Sequence, residues 1–294
     1  LSNFVITGNS VVDYGLGIDM HYFTLQDVSS TRGSHMVSQL FFPSIYLKKD
    51  LPKDQKVEIF LNKKLNYHSF MSLFNEIAYI DPDYRNTVSK EMKTAVNYSK
   101  KLLDNISIFT DISYNIINDK PIPVLRKSWF SSNYQNMDAG VDRNPLSLYL
   151  SDLKGLTISS SIAFQKTSFD LMIKGTYNAM TSTTHIDRQI IPAYELNTNL
   201  GIRLIDRLRF ISQWHFVSQR DACNITEILP NGDGILNYVT LPSYFNVNFS
   251  IQYSLNQMLL SLDFKNIFGQ KIDFFDGYFD DDGLKYSVGF SYKF

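Results

Sequence analysis

The residues best suited to chemistry lie on one long polar segment, residues 118–154, which carries Trp129, Phe130, Tyr134 and Arg143. Aromatic rings and a guanidinium group stack well on sugars and on peptide groups. We therefore take Trp129, Tyr134 and Arg143 as candidate substrate-binding residues. Packing of the same rings against one another is the alternative, and the residue types alone leave it open.

No arrangement typical of an enzyme accompanies them. Serines are plentiful, but no G-x-S-x-G element occurs and no glycine-rich phosphate loop is found. The single cysteine, Cys223, allows neither an intrachain disulfide nor a cysteine zinc cluster. The five histidines lack metal-ligand spacing: His21, His35, His68, His185 and His215. The sequence predicts a protein that is not an enzyme and has no cofactor.

An acidic loop is the one candidate for a metal ion. The stretch DFFDGYFDDDG holds five aspartates, Asp273, Asp276, Asp280, Asp281 and Asp282. Carboxylates beside glycine can hold Ca²⁺, but the spacing and the terminal glutamate of an EF-hand are absent. A solvated acidic loop is the favoured interpretation, with Ca²⁺ as the alternative.

Alternation of apolar and polar residues runs through most of the chain. From Phe245 to Tyr253 the odd positions are apolar, whereas the even positions are Asn, Ser or Gln. Because side chains alternate along a strand, each such run predicts a strand with one apolar face and one polar face. About 12 to 13 strands are expected: twelve complete runs and a partial one at Phe4–Thr7.

The connections between these runs alternate strictly in length. The short ones fall at 51–54, 102–105, 166–168, 205–207 and 256, and the long ones at 26–36, 68–91, 118–154, 179–192, 220–242 and 269–283. Tight turns at one end and long loops at the other are typical of an outer-membrane barrel. We expect an all-β fold, an antiparallel transmembrane β-barrel of the outer-membrane type in which lipid covers the apolar face.

In such a barrel the polar face lines the lumen. Its charged residues carry both signs, so most are expected to pair across strands. Among them we take Asp19, His21, Arg203 and His215 as candidate substrate-binding residues.

Composition agrees with this fold and excludes others. Charged residues make up 19% and aromatic residues 14%, and no run of 18 apolar residues occurs, which excludes helical membrane spans. The net charge of -1 gives no electrostatic reason to expect nucleic acid as a partner. The expected location is the bacterial outer membrane.

Particular stretches resemble a known family. Residues 241–278 and 283–294 are similar to the C-terminus of TonB-dependent outer-membrane transporters. Asn266, Ile267 and Phe268 match the Asn-hydrophobic-Phe element of that family. Residues 41–70, the stretch from Val88 and the stretch from Ile191 resemble earlier hairpins of that barrel, in the same order.

The resemblance implies a barrel of about 22 strands, closed by an N-terminal plug domain that the TonB system displaces. Nothing in this chain resembles a plug or a TonB box. Residues 1–294 are therefore interpreted as one barrel domain, with the plug and the remaining strands in missing sequence or in another chain. The resemblance also implies that the last strand, with Tyr292 and Phe294, is the signal for barrel assembly.

Two functions stay open at this point. The first is uptake of a nutrient by a TonB-dependent transporter. The second is a self-contained barrel of 12 or 14 strands that serves as a passive channel or as a structural part of a secretion or surface complex. The frequent Lys, Asn, Ile, Tyr and Phe resemble outer-membrane proteins of the Bacteroidetes type, which suggests a surface lipoprotein as a further partner.

Overall fold

The structure is a computed structural model of the chain. It describes residues 2–8, 13–26, 35–68, 87–126, 146–182, 191–228, 234–275, 278–281 and 283–292. Side chains are described for residue 16 and for residues 44–63, 89–118, 152–182, 191–221, 238–272 and 283–292.

Seventeen strands lie in this described part of the chain. They are β1 Ser2–Gly8, β2 Asp13–Gln26, β3 His35–Leu51, β4 Gln55–His68, β5 Thr87–Leu103, β6 Ile106–Arg126, β7 Leu146–Lys166, β8 Phe169–Ser182, β9 Tyr194–Ile205, β10 Leu208–Val217, β11 Arg220–Ile228, β12 Gly234–Leu241, β13 Tyr244–Leu255, β14 Met258–Lys265, β15 Ile272–Phe275, β16 Tyr278–Asp281 and β17 Lys285–Tyr292.

Thirteen of these strands form one antiparallel meander, in the order β1 to β10, then β13, β14 and β17. The twelve expected strands are confirmed, and β1 is the partial run that the alternation predicts. Within the described residues no pairing joins the two outer edges, β1 and β17. No helix in this part of the chain has the length and apolar character of a membrane span.

The pairing register sorts side chains onto two faces. One row across seven strands, from β3 to β9, consists of Leu47, Ile59, Val96, Ile112, Ile158, Tyr177 and Tyr194. On β17 the same side exposes Tyr286 and Val288 by 76% and 77%. We call this side the apolar face and the opposite side, which carries Glu58 and His215, the polar face. The two-faced strands expected from alternation are confirmed.

The short connections are tight turns, and they lie together at what we call the short-turn end. In the β3–β4 turn, Lys53 and Asp54 have φ of 64° and 53°, and in the β13–β14 turn Asn256 has φ of 50°. The left-handed conformation is disfavoured for most residues, whereas Asn and Asp adopt it more readily because their side chains bond locally.

Some described parts of the long connections are strands, where polar loops were expected. Strands β6 and β7 have 21 residues each, well beyond the roughly 9–11 that a membrane requires, so they project past the long-loop end. Within the expected loop at 220–242, β11 and β12 pair antiparallel, and β11 pairs in parallel with the end of β6 at Leu125 and Arg126. Alternation missed these parts because a strand outside hydrocarbon has no need of an apolar face.

Asn266 directly follows β14 and anchors the segment that leaves it. It is fully buried, with φ of 50°. Its Nδ2 donates to the carbonyl of Gln270 at 2.6 Å, and its Oδ1 accepts from the Gln270 N–H at 3.0 Å. The Asn266 N–H donates to Asn248 Oδ1 at 3.0 Å, and Gln270 Oε1 accepts from the Phe245 N–H at 3.1 Å. The Asn-hydrophobic-Phe element is thus a buried clasp that covers the part of β13 beyond its pairing with β14.

Asn266→Ala should lower the free energy of unfolding by about 2–4 kcal/mol, since it strips two buried hydrogen bonds and strains a left-handed backbone. Urea titration of the protein in lipid vesicles measures this. Asn256→Ala is the matched control, because it has the same φ in an exposed turn, and it should cost about 1 kcal/mol. Equal losses in the two variants would show that the clasp contributes nothing.

Ile158→Lys tests what covers the apolar face. The introduced lysine lies in the middle of the apolar row. It should lower the free energy of unfolding in a bilayer by about 2–4 kcal/mol. Ser159→Lys, one residue later, places the same charge on the polar face opposite Asp111 and should change stability by less than about 1 kcal/mol. Tryptophan fluorescence during urea-dependent folding into vesicles compares them. Similar losses for both would contradict two faces in different solvents.

Candidate functional site

Near the long-loop end, the polar face carries a block of hydrogen-bonding side chains, mostly amides, on β9, β10 and β13. The register gives two rows, Asn197–His215–Asn246 and Asn199–Gln213–Asn248. The amide oxygen of Asn246 is buried and has no hydrogen-bond partner among the described residues. Amides both donate and accept, so this amide block can satisfy polar groups of a ligand without imposing a charge.

An aromatic and cationic cluster adjoins the amide block. The His215 ring meets the Tyr244 ring edge-on, with centroids 5.7 Å apart and an angle of 83°. The Arg220 guanidinium lies over the same Tyr244 ring, 5.5 Å from its centroid, and Arg220 is only 9% exposed. A guanidinium held on a tyrosine face suits an anionic or planar ligand group. His215, a candidate from the sequence, lies in this cluster, and its role in binding stays a prediction.

Two charged groups on β4 and β6 have partners on neighbouring strands. Lys93 Nζ lies 3.6 Å from the Asp111 carboxylate and 5.4 Å from the centre of the Phe60 ring. The Tyr46 hydroxyl donates to Glu58 Oε1 at 3.2 Å. Cross-strand pairing of this kind is the structural role expected for most charges on the polar face.

Hydrogen bonds on β7 and β8 also reach the segment that enters β9. The Thr157 hydroxyl donates to Asn178 Oδ1 at 3.1 Å, and Asn178 Nδ2 donates to the carbonyl of Pro192 at 3.0 Å. These contacts hold the start of β9, and therefore position Asn197 and the rest of the amide block.

Arg203 lies far from that site, beside the short turns. It faces Arg209 directly across the β9–β10 pair. Arg209 forms an ion pair with Asp170 at 2.9 Å, and both side chains of the pair are more than two-fifths exposed. An exposed pair of this kind contributes about 0–1 kcal/mol. The structure thus separates Arg203 from His215, and the two predicted residues belong to different sites.

Apolar side chains on the polar face break the alternation. Phe109 and Met172 point to this side and are 43% and 40% exposed. On the same face, three oxygens are buried without a partner among the described residues: Asn62 Oδ1, Asn97 Oδ1 and Ser250 Oγ. Water alone covers the exposed Phe109 and Met172 poorly, because it leaves aromatic and thioether groups wet.

The other predicted site residues are only partly described. Asp19 and His21 lie on β2, on strand positions that face the same side as Phe42 and Leu40 of β3, but their side chains are outside the described set. Trp129, Tyr134 and Arg143 lie outside the described residues altogether. Their roles in binding stay predictions.

The last strand presents Tyr292 on the apolar face. Tyr292 pairs with Met258 of β14, and its hydroxyl donates to Gln257 Oε1 at 2.8 Å. Phe294 lies outside the described residues. The assembly signal therefore stays a prediction.

Among described side chains, no group of three or more His, Cys, Asp or Glu residues comes together. The aspartates of residues 273–282 have no described side chains, so Ca²⁺ there stays a prediction.

Sequence reasoning missed Arg220, Tyr244, Phe109 and Met172. For Phe109 and Met172 a signal existed, since both are apolar residues at polar positions of an alternating run. Arg220 and Tyr244 carry no such signal, because the cluster depends on contacts between the start of β11 and the start of β13.

Comparison with known proteins shows where this fold occurs. No protein-family model matches the chain, and no curated protein matches it in sequence. Among solved structures, the pyoverdine outer membrane receptor FpvA of Pseudomonas aeruginosa PAO1 has a TM-score of 0.64 at 10% identity, over 99% of this chain and 41% of that chain.

Two further solved structures are similar. The FrpB iron transporter of Neisseria meningitidis has a TM-score of 0.63 at 12% identity, over 99% of this chain and 44% of its own. The siderophore receptor PirA of Acinetobacter baumannii has a TM-score of 0.63 at 12% identity, over 97% and 44%. Identity this low carries the fold and nothing finer. The chain has the outer-membrane β-barrel fold of the TonB-dependent receptors that its sequence resembles, and it spans less than half of their length.

Proposed function

We propose that this chain forms part of the barrel wall of a TonB-dependent transporter, which takes up a nutrient across the bacterial outer membrane. The fold supports transport in general, and so do the apolar face and the sorting of the connections into two ends. In this proposal the remaining strands and the plug come from sequence outside these residues. They would complete the sheet, because hydrocarbon tolerates no unpaired strand edge.

The observation that favours a plugged barrel over an open channel is the character of the polar face. A water-filled channel has a polar lining. Here Phe109 and Met172 are exposed on that side. A polypeptide packed in the lumen would cover these apolar groups. The passive channel of 12 or 14 strands has no comparable observation in its favour.

The ligand-binding part of this transporter is proposed to be the amide block with the adjoining cluster of His215, Arg220 and Tyr244. Its place near the long-loop end corresponds to the extracellular half of the lumen, where a nutrient arrives. Ferric siderophores are the first ligand class to test, because the P. aeruginosa receptor was solved bound to pyoverdine and the A. baumannii protein is a siderophore receptor. A surface lipoprotein and Ca²⁺ in the acidic loop are further proposals.

Phe109→Asp should loosen a plug and so raise the permeability of the outer membrane several-fold, because it puts a charge into an apolar contact. Killing of whole cells by vancomycin, which is too large for ordinary pores, measures the change. The matched control is Ser161→Asp, which places the same charge at the paired position on β7. An unmodified protein that already conducts ions like an open pore in planar bilayers would contradict the plug.

Tyr244→Ala should raise the KM for uptake about tenfold, because it removes the ring that holds both the His215 and Arg220 side chains. Cells that express the complete protein are tested with a panel of ⁵⁵Fe-labelled siderophores, with and without a working TonB. Tyr253→Ala, on the apolar face of the same strand, is the control. Uptake that does not need TonB would refute active transport, whereas no uptake of any siderophore would refute only the iron proposal.

A further inference from the structure

A second site lies on the polar face at the short-turn end, away from the amide block. Its residues are Asp170 on β8, Arg203 on β9 and Arg209 on β10. Arg203 and Arg209 are register partners, so their side chains leave the two strands at directly opposite positions on the same face. Like charges in that position repel each other unless an anion lies between them.

Asp170 supplies that anion to only one of the two arginines. Its register partner on β9 is Gly201, and its carboxylate reaches across Gly201 to Arg209 Nη2 at 2.9 Å. A β-carbon at position 201 would collide with both carboxylate oxygens of Asp170. The glycine therefore leaves the path across β9 open and directs Asp170 to Arg209 rather than to Arg203.

Arg203 keeps an uncompensated charge as a result. Among the described residues, its guanidinium group has no hydrogen bond and no ion pair. Its backbone is held, since the Arg203 N–H donates to the carbonyl of Ser168 at 2.8 Å. A cavity of about 660 Å³ opens beside it, with Gln165, Ser168, Asp170 and Arg209 in its lining. Lys166 also lines the cavity, so two guanidinium groups, one ammonium group and one carboxylate leave it with an excess of positive charge.

We propose that this cavity is an oxyanion site in which Arg203 holds a carboxylate or a phosphate group. The planar fork of a guanidinium matches the two oxygens of either group, and the Asp170–Arg209 pair forms the wall of the site. The oxyanion comes either from an acidic side chain of a polypeptide segment lodged in the lumen or from a free anion. The site does not depend on the proposed transport, because its geometry lies within β8, β9 and β10.

Titration of the complete detergent-solubilised protein with inorganic phosphate, followed by ³¹P NMR, tests the free anion. If the site is open, phosphate binds to the unmodified protein, and Arg203→Gln weakens the binding by about tenfold. Arg207→Gln is the matched control, because Arg207 lies in the adjacent turn and outside the cavity lining. It should bind phosphate as the unmodified protein does.

Arg203→Lys tests the polypeptide source in the same protein. A carbodiimide couples a lysine amine to a carboxylate only when the two groups touch, and mass spectrometry then identifies the linked peptide. If a lodged segment fills the site, phosphate does not bind, and the introduced lysine is joined to a carboxylate other than that of Asp170.

The proposal is overturned by the remaining outcomes. In one, phosphate is not bound and the introduced lysine couples to Asp170 or to no carboxylate. In the other, phosphate binds equally well to the Arg203→Gln and Arg207→Gln proteins. Neither result touches the transport proposal, which the permeability and uptake measurements decide separately.

Discussion

Backbone pairing between consecutive strands is the interaction on which the rest of the structure depends. Each strand of the meander pairs with the next one, and side chains alternate, so one register decides which solvent every residue meets. A slip by one residue would turn Ile112 and Ile158 to the polar side and Asp111 to the apolar side. In a membrane such a slip would be strongly unfavourable, because hydrocarbon solvates neither charged side chains nor unpaired backbone groups. The short turns and the Asn266 clasp hold this register at the two ends.

The polar face is not uniform from one end to the other. At the long-loop end it carries uncharged amides beside His215 and Arg220, a surface that can exchange its hydrogen bonds with a ligand. At the short-turn end it carries Asp170, Arg203 and Arg209, where charge dominates. Phe109 lies beside the short turns, and Met172 pairs with Asn199 of the amide block. Their exposed apolar groups favour a packed partner over a column of water.

Much of the fold could be predicted from the sequence. The parts that could not be predicted share a physical cause. The strands through Ile112, Ile158 and Phe249 were visible because lipid demands an apolar residue at every second position there. The pair of β11 and β12 was not visible in the sequence, because outside the membrane both faces of a strand can be polar. The Asn266 element was visible as a resemblance, whereas its role as a clasp needed the contacts with Asn248 and Gln270. Arg203 was grouped with His215 because both lie on the polar face, but the fold places them at opposite ends of it.

The sequence by itself determined the faces, the number of strands in the meander and the sorting of short and long connections. These properties are local, since each depends on residues two apart or on the distance between neighbouring runs. Only the tertiary structure decided which side chains meet: Asp170 with Arg209 across Gly201, His215 and Arg220 on Tyr244, and β11 on the tip of β6. Such contacts join residues from different strands, and their geometry depends on the register, the bend of each strand and the absence of a single β-carbon, none of which a period of two can encode.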